Sequence, residues 1–264
     1  MPFAAINGQR IFYQDSGAAD KPALVFSHGL LMDHTMFDPQ VQAFQADYRC
    51  ICWDERGHGQ TATPGHSTPF SYYDSAADVV ALLDHLGVDQ AVLVGMSQGG
   101  YLSLRCALKY PQRVRALVLI DTQAHTEDPA LMPHHMALVQ RWMEHGLQPE
   151  MADSVESFIL GQGWDGAPAW KAKWAQVDTA NLLQNFTTLG QRDDISAQLS
   201  NIHVPALVIH GELDKAIVPQ RAQQMAQQLP QSQWVEIAGA GHAANLTHPK
   251  PVNAAIRKFL AQLP

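Results

Sequence analysis

A chain of 264 residues with 46% hydrophobic and 16% charged side chains has enough apolar material for a sizeable core, which excludes the disordered class. Its formal net charge of −8 argues against nucleic acid and anionic membrane as partners, because both select basic patches. Three cysteines, Cys50, Cys52 and Cys106, do not make a disulfide framework, and Cys50 and Cys52 read as buried strand residues. The opening MPFAAINGQRIFYQDSG lacks the basic and apolar regions of a signal peptide. No apolar run approaches a membrane span, so a reduced, soluble, cytoplasmic setting is expected.

Residues 3 to 15 predict a hairpin turning at Asn7-Gly8, a pair that tolerates the positive φ of a tight turn. Ala23 to Phe26 is a short continuous apolar run, as in a strand buried on both faces of a parallel sheet. A helix is expected over 35–46 with Met36, Val41 and Phe44 inward, then a strand over 48–53. A polar loop carrying Asp54-Glu55-Arg56-Gly57-His58-Gly59 follows. Residues 74–86 predict an amphipathic helix with Ala77, Val80, Leu83 and Leu86 at helical spacing.

The next stretch organises the rest. An apolar strand over 90–95 runs into Gly95-Met96-Ser97-Gln98-Gly99-Gly100 and on into a helix that Pro111 stops. A serine at the apex of a sharp strand-to-helix turn is pushed outward on strained backbone, and the first helical N–H groups lie beside its hydroxyl. A sixth strand spans 114–120. Residues 122–199 then interrupt the alternation of strand and helix. They predict helices rich in tryptophan (Trp142, Trp164, Trp170, Trp174), read as a helical cap inserted into a core of 1–121 and 200–264. Trp142, Trp164 and Trp174 are the candidates for touching substrate. Strands return at 204–210 and 234–237, with helices over 219–229 and 248–262. The alternation implies an α/β fold with a mostly parallel sheet, an antiparallel N-terminal hairpin and helices on both faces.

In such a sheet the reactive groups gather beyond the carboxyl ends of strands. Ser97, Asp214 and His242 each follow a strand, in the order serine, acid, histidine. A serine hydroxyl needs an imidazole to take its proton, and the imidazole needs a carboxylate to fix its tautomer. Asp121 also follows a strand and is the rival acid. Glu212 is read as pointing away, and Asp54 and Glu55 as pairing with Arg56 or capping their loop. His28 and His58 are read as scaffolding.

The motifs HGL at 28–30, DERGHG at 54–59, GMSQGG at 95–100, HGELD at 210–214 and GAGH at 239–242 together resemble the α/β-hydrolase superfamily across essentially the whole chain. The resemblance implies Ser97 as nucleophile, His242 as base and Asp214 as acid. It implies the backbone N–H groups of Leu30 and Gln98 as the oxyanion hole, and no metal or organic cofactor. A serine at the nucleophile position argues against haloalkane dehalogenases and epoxide hydrolases. Ala243 after the histidine argues against carbon–carbon bond hydrolases. WDERGHG at 53–59 and GHAANLTHP at 241–249 look similar to 3-oxoadipate enol-lactonases, which points to small esters or lactones as substrates. Only Arg141 and Arg192, with Lys171 and Lys173, are offered by the insertion to a carboxylate. Arg192 falls at the edge of the insertion, which ranks a general carboxylesterase above an enol-lactonase. A ligand receptor that retains the triad is the alternative from another class.

Overall fold

The computed structural model describes residues 3–17 and 19–263; Met1, Pro2, Ala18 and Pro264, all within the expected core, lie outside the described residues. Eight strands form one sheet: β1 (Phe3–Ile6), β2 (Gln9–Asp15), β3 (Ala23–Ser27), β4 (Arg49–Trp53), β5 (Ala91–Met96), β6 (Val114–Ile120), β7 (Ala206–Gly211) and β8 (Ser232–Ile237). Their spatial order is β1-β2-β4-β3-β5-β6-β7-β8. β1 and β2 form the antiparallel hairpin, with Asn7 and Gly8 at φ of 47° and 76°. β2 joins β4 antiparallel, and every later pairing is parallel.

Every residue of β3, β4, β5 and β7 is buried. That is why these strands read as mostly apolar stretches and not as alternations, since helices cover both faces. Each fully buried Val, Leu, Ile or Phe contributes roughly 1.5–3 kcal/mol. The register sets the functional edge. Ser27 lies opposite Gly95, Met96 opposite Ile120, Ile120 opposite Ile209 and Gly211 opposite Ile237. The carboxyl ends of five strands are therefore level, and the loops after them emerge side by side.

The helix expected over 35–46 is a 3₁₀ turn, His34–Phe37, followed by α1 (Asp38–Phe44); Met36 and Phe44 are buried and Val41 is half-buried. α2 (Tyr72–His85) opens on a capping box between Ser71 and Asp74. Its inward face is offset from the expected one: Ala76, Val79 and Leu83 are buried, whereas Ala77, Val80 and Leu86 are half-buried. The shift is possible because Asp78, on the inward face, is paired with Arg56 and with the Asn7 amide. α3 (Gln98–Lys109) follows the serine.

Between β6 and β7 stand four helices, α4 (Met132–His145), α5 (Pro149–Ile159), α6 (Ala167–Trp174) and α7 (Thr179–Gln191). Among the described residues no helix is long and apolar enough to cross a membrane. α8 (Pro219–Gln228), α9 (Ala244–Thr247) and α10 (Pro249–Leu260) complete the chain.

Candidate active site

Ser97 sits between β5 and α3 at φ 51°, ψ −115°, a region a side chain with a Cβ occupies only under constraint. The constraint is the close crossing of strand and helix. A Cβ on Gly95 would run into the Gly99 carbonyl, and one on Gly99 into the Ser27 carbonyl, so glycine is required at both positions. The Ser97 amide is tied to the Ile120 carbonyl at 2.9 Å, and its carbonyl receives the Thr122 hydroxyl at 2.7 Å.

His242 and Asp214 converge on this turn from the loops after β8 and β7. His242 Nε2 lies 3.0 Å from Ser97 Oγ, and Nδ1 lies 2.8 Å from Asp214 Oδ2. With Nδ1 donating to the carboxylate, Nε2 is left to accept the serine hydroxyl. All three are nearly closed from solvent: Ser97 and His242 are each 7% exposed and Asp214 5%.

Asp214 is held on every side. Its Oδ1 accepts the amides of Ala216 and Ile217 at 2.8 and 3.0 Å, and His210 Nε2 lies 3.1 Å from Oδ2. Burial pushes its pKa up, but His242 and His210 outweigh burial and hold the carboxyl well below the usual range. The reverse holds for His242. Burial disfavours its charged form, the adjacent Asp214 more than offsets this, and the pKa stands above the ordinary imidazole value.

Asp121 occupies a different place. It sits at φ 48°, with Oδ1 accepting Gly211 N at 2.8 Å and Oδ2 accepting Ala244 N at 2.9 Å. It therefore staples the loop that carries Asp214 to the loop that carries His242. Burial, with Asp214 adding to it, pushes its pKa up to about 7. Asp121, His210 and Asp214 bring their ligand-type atoms within 4.8 Å of one another, the one grouping of metal-ligand type found among the described residues. The backbone amides and imidazoles already bound to these carboxylates account for that closeness.

The HGL segment lies against the serine. A Cβ on Gly29 would approach within 3.5 Å of Ser97 Cβ, which puts the chain entering Leu30 beside the nucleophile position. Gln98 is the first residue of α3, and its N–H has no acceptor within the helix. Behind these amides is a buried polar layer. The Gln98 side chain donates to Glu55 Oε2 at 2.6 Å and receives the Tyr72 hydroxyl at 3.3 Å. His28 Nε2 accepts Glu55 N at 3.0 Å, and His58 Nδ1 bonds the Arg56 carbonyl at 2.9 Å. Burial pushes Glu55 up to about 8 and His58 down to about 3, so near neutrality the layer is largely uncharged. Of the two roles expected of Asp54 and Glu55, pairing with Arg56 does not form, whereas Asp54 caps its loop through the Gln60 amide. Arg56 pairs with Asp78, while Asp54 accepts His34 N and Nδ1 and Gln60 N. Glu212 points outward, accepting Gly239 N.

The three candidate tryptophans have different surroundings. Trp142, on α4, is buried. Trp174 is fully buried and donates Nε1–H to the Leu31 carbonyl at 2.9 Å, one residue beyond Leu30. Its visible role is to fix the HGL segment, a role the sequence pattern did not suggest. Trp164 lines a cavity of about 390 Å³ between residues 157–164 and the loops carrying Leu213, Lys215, Gly241 and His248. Arg141 is exposed. Arg192, ranked low for its place at the edge of the insertion, is instead buried, its Cζ 4.2 Å from the centre of the Tyr101 ring.

A model of the alpha/beta hydrolase fold family matches residues 22–249. The chain belongs to that family, and it is a hydrolase. It is 29% identical over 251 residues to 3-oxoadipate enol-lactonase 2 of Acinetobacter baylyi, covering 94% of this chain and 92% of the relative. Among solved structures, the enol-lactonase from Burkholderia xenovorans LB400 superposes with a TM-score of 0.89 at 26% identity, over 99% of this chain and 100% of that one. A malate-bound thermophilic esterase from Thermogutta terrifontis superposes with a TM-score of 0.88 at 26% identity, over 100% and 97%.

Proposed function

We propose that this hydrolase cleaves carboxylic esters or lactones of small molecules through an acyl-enzyme on Ser97. The observation that carries the reading is the unbroken chain from Ser97 Oγ to His242 Nε2 and from His242 Nδ1 to Asp214, on a strained turn at the level edge of the sheet. In the first half-reaction Ser97 Oγ attacks the carbonyl carbon while His242 takes its proton. The negative charge that develops on the carbonyl oxygen is met by the N–H groups of Leu30 and Gln98. The alkoxide leaves with the proton held by His242; in a lactone it remains tethered to the acyl group. Water then enters, loses a proton to His242, and releases the acid by the same route. Asp214 keeps the imidazole in the productive tautomer and stabilises its charged form.

Lactones fall within the reading because two of the similar proteins are named as enol-lactonases. Residues 122–199 belong to it as a cap over a core of 1–121 and 200–264, with Trp164 lining the cavity between the cap and the loops after β7 and β8. The deciding experiment is Ser97→Ala assayed on short p-nitrophenyl esters and lactones. A fall of roughly 10⁶ in kcat is expected for a triad acting as a unit. A variant that kept most of the turnover would overturn the proposal.

A further inference from the structure

The carboxylate of Asp214 holds one donor more than a serine–histidine–acid chain and its loop require. Oδ1 accepts the amides of Ala216 and Ile217 at 2.8 and 3.0 Å. Oδ2 faces two imidazoles: His242 Nδ1 at 2.8 Å and His210 Nε2 at 3.1 Å. The side chains of His210 and Asp214 have no exposed surface. His210 stands near the end of β7, and the chain after it presses on the loop that carries His242, since a Cβ on Gly211 would run into the Gly241 carbonyl.

The neighbours of His210 fix its tautomer. Nε2 also lies 2.8 Å from the Ile217 carbonyl, which can only accept, so Nε2 carries a proton and donates it to both oxygens. Ile217 thus binds Asp214 through its amide and His210 through its carbonyl. Nδ1 is buried and bonds to nothing among the described residues; Asp121 Oδ1, at 3.9 Å, is beyond hydrogen-bond reach. A buried ring nitrogen left without a donor is costly. The ring is stacked on Trp234 of β8, with 6.1 Å between centroids and 21° between planes, so its polar contacts are all made through Nε2. Burial disfavours a charged His210, Asp214 and Asp121 favour it, and the balance raises its pKa. Nε2 keeps its proton in both forms, so the shared bond persists across that titration.

We infer that His210 is a positioning residue for the reaction: by donating Nε2–H to the same Asp214 oxygen that faces His242, it orients the acid and limits the acid's pull on the base. This rests on the serine-hydrolase reading above. An oxygen that accepts two donors divides its negative charge between them, and the second N–H turns its positive end toward a protonated His242. Burial disfavours the charged form of His242, Asp214 and then Asp121 favour it, and His210 acts with burial. The titratable groups facing this pair come from three loops: Asp121 after β6, Asp214 after β7 and His242 after β8. Lys215, beside Asp214 in the chain, and Glu236, level with His210 on β8, are exposed.

The test titrates His242 by proton NMR and follows kcat and KM for p-nitrophenyl butyrate against pH, on the wild type, His210→Phe and His210→Gln. Phenylalanine keeps a ring over Trp234 and removes the shared N–H; glutamine returns a neutral donor near the place of Nε2. In His210→Phe the inflection of His242, and with it that of kcat/KM, should move up by roughly half a pH unit to one unit, a part of what a full charge exerts at contact distance. Above the inflection kcat should fall several-fold with KM nearly unchanged, and His210→Gln should return most of both effects. One inflection common to all three proteins overturns the inference, and so does a loss in His210→Phe that His210→Gln does not repair. If His210→Phe does not fold, the wild type decides. Its His210 Nε2–H signal should show the inflection of His242 besides its own, because coupling through a shared oxygen is reciprocal; a signal indifferent to His242 overturns the inference. The NMR titration needs no substrate. Absence of ester turnover therefore counts against the serine-hydrolase reading, while the behaviour of His242 still decides for or against His210.

Discussion

In the loops at the carboxyl edge of the sheet, polar groups are bound from several directions at once. Asp214 accepts two amides and faces two imidazoles, and Asp121 accepts two more amides. Three buried atoms at this edge still lack a partner among the described residues: His210 Nδ1, Glu55 Oε1 and Asn245 Oδ1. The helices between β6 and β7 differ in the apolar surface they expose. Arg192 Nη2, His135 Nδ1 and Asn185 Oδ1 are likewise buried without partners among the described residues, but three of the large exposed hydrophobics, Leu131, Phe158 and Leu183, lie there. The other two, Leu213 and Val218, lie in the loop after β7, where Leu213 borders the cavity. Saturated bonding fixes a charge in one geometry, which a proton-transferring chain requires. Exposed apolar surface suits a wall that meets a variable guest. The two regions are joined unevenly. α6 and α7 are tied to the core through Trp174 to Leu31, Lys173 to Asp33, Asn181 to Thr63, Asn185 to Gly57 and Thr188 to Phe70. Residues 157–164, after the body of α5, border the cavity instead.

The largest effect that can break this contrast is at the two aspartates. If the saturated core sets the chemistry, Asp214→Asn should lower kcat by roughly 10⁴, because the amide supports the wrong imidazole tautomer. Asp121→Asn should cost far less rate and more stability. Its NH₂ would face a backbone N–H that now donates to an oxygen, at about 1–3 kcal/mol. Thermal denaturation and kcat on one ester separate the two; equal losses of rate would mean that Asp121 shares the acid's role. The pH profile adds a sign. Catalysis needs neutral His242, and Asp214 raises its pKa, so the rate should climb with pH through an inflection above the ordinary imidazole value of about 6.5.

How much of this could be read in the sequence follows the same division. β3, β5 and β7 are mostly apolar because both faces are covered, and Ser97 and Asp214 follow β5 and β7 as His242 follows the edge strand β8. Position along the chain was therefore enough to bring Ser97, Asp214 and His242 together. Where burial depends on a partner distant in sequence, periodicity misleads. Asp78 turned inward because Arg56 neutralises it, which shifted the face of α2. Arg192 looked peripheral because it lies at the edge of the insertion, yet it is buried against Tyr101 of α3, 91 positions earlier by residue number. The tryptophans show the same limit: a helical face is visible in the pattern, but whether it packs on its own segment, on the HGL loop or on the cavity is not.

Trp174→Phe tests whether the helical segment reaches into the chemistry. The substitution keeps most of the buried ring and removes one hydrogen bond to the Leu31 carbonyl, worth about 0.5–1.5 kcal/mol. If that bond holds the Leu30 amide in place, kcat should fall several-fold with KM nearly unchanged. A drop in melting temperature with kcat intact would instead confine Trp174 to packing and leave the core loop self-sufficient.

The smallest expected effect is at Glu55, where the core itself carries an unspent group. Its Oε2 accepts the Gln98 amide, while Oε1 is buried without a partner. Burial, the dominant cause, places its pKa at about 8 in the folded protein, against about 4.3 for an exposed glutamate. Between these values the folded state binds more protons at this site than the unfolded chain. Its contribution to stability therefore declines as pH rises from roughly 4 to 8. Glu55→Gln keeps the shape and an acceptor for Gln98 and abolishes the titration. The gap in melting temperature between variant and wild type should widen in the variant's favour by a few degrees across that window. A constant gap would mean that Glu55 is ionised in the fold at neutral pH, so that a negative charge lies behind Gln98. An oxyanion hole built on that residue's amide would then have to work against that charge.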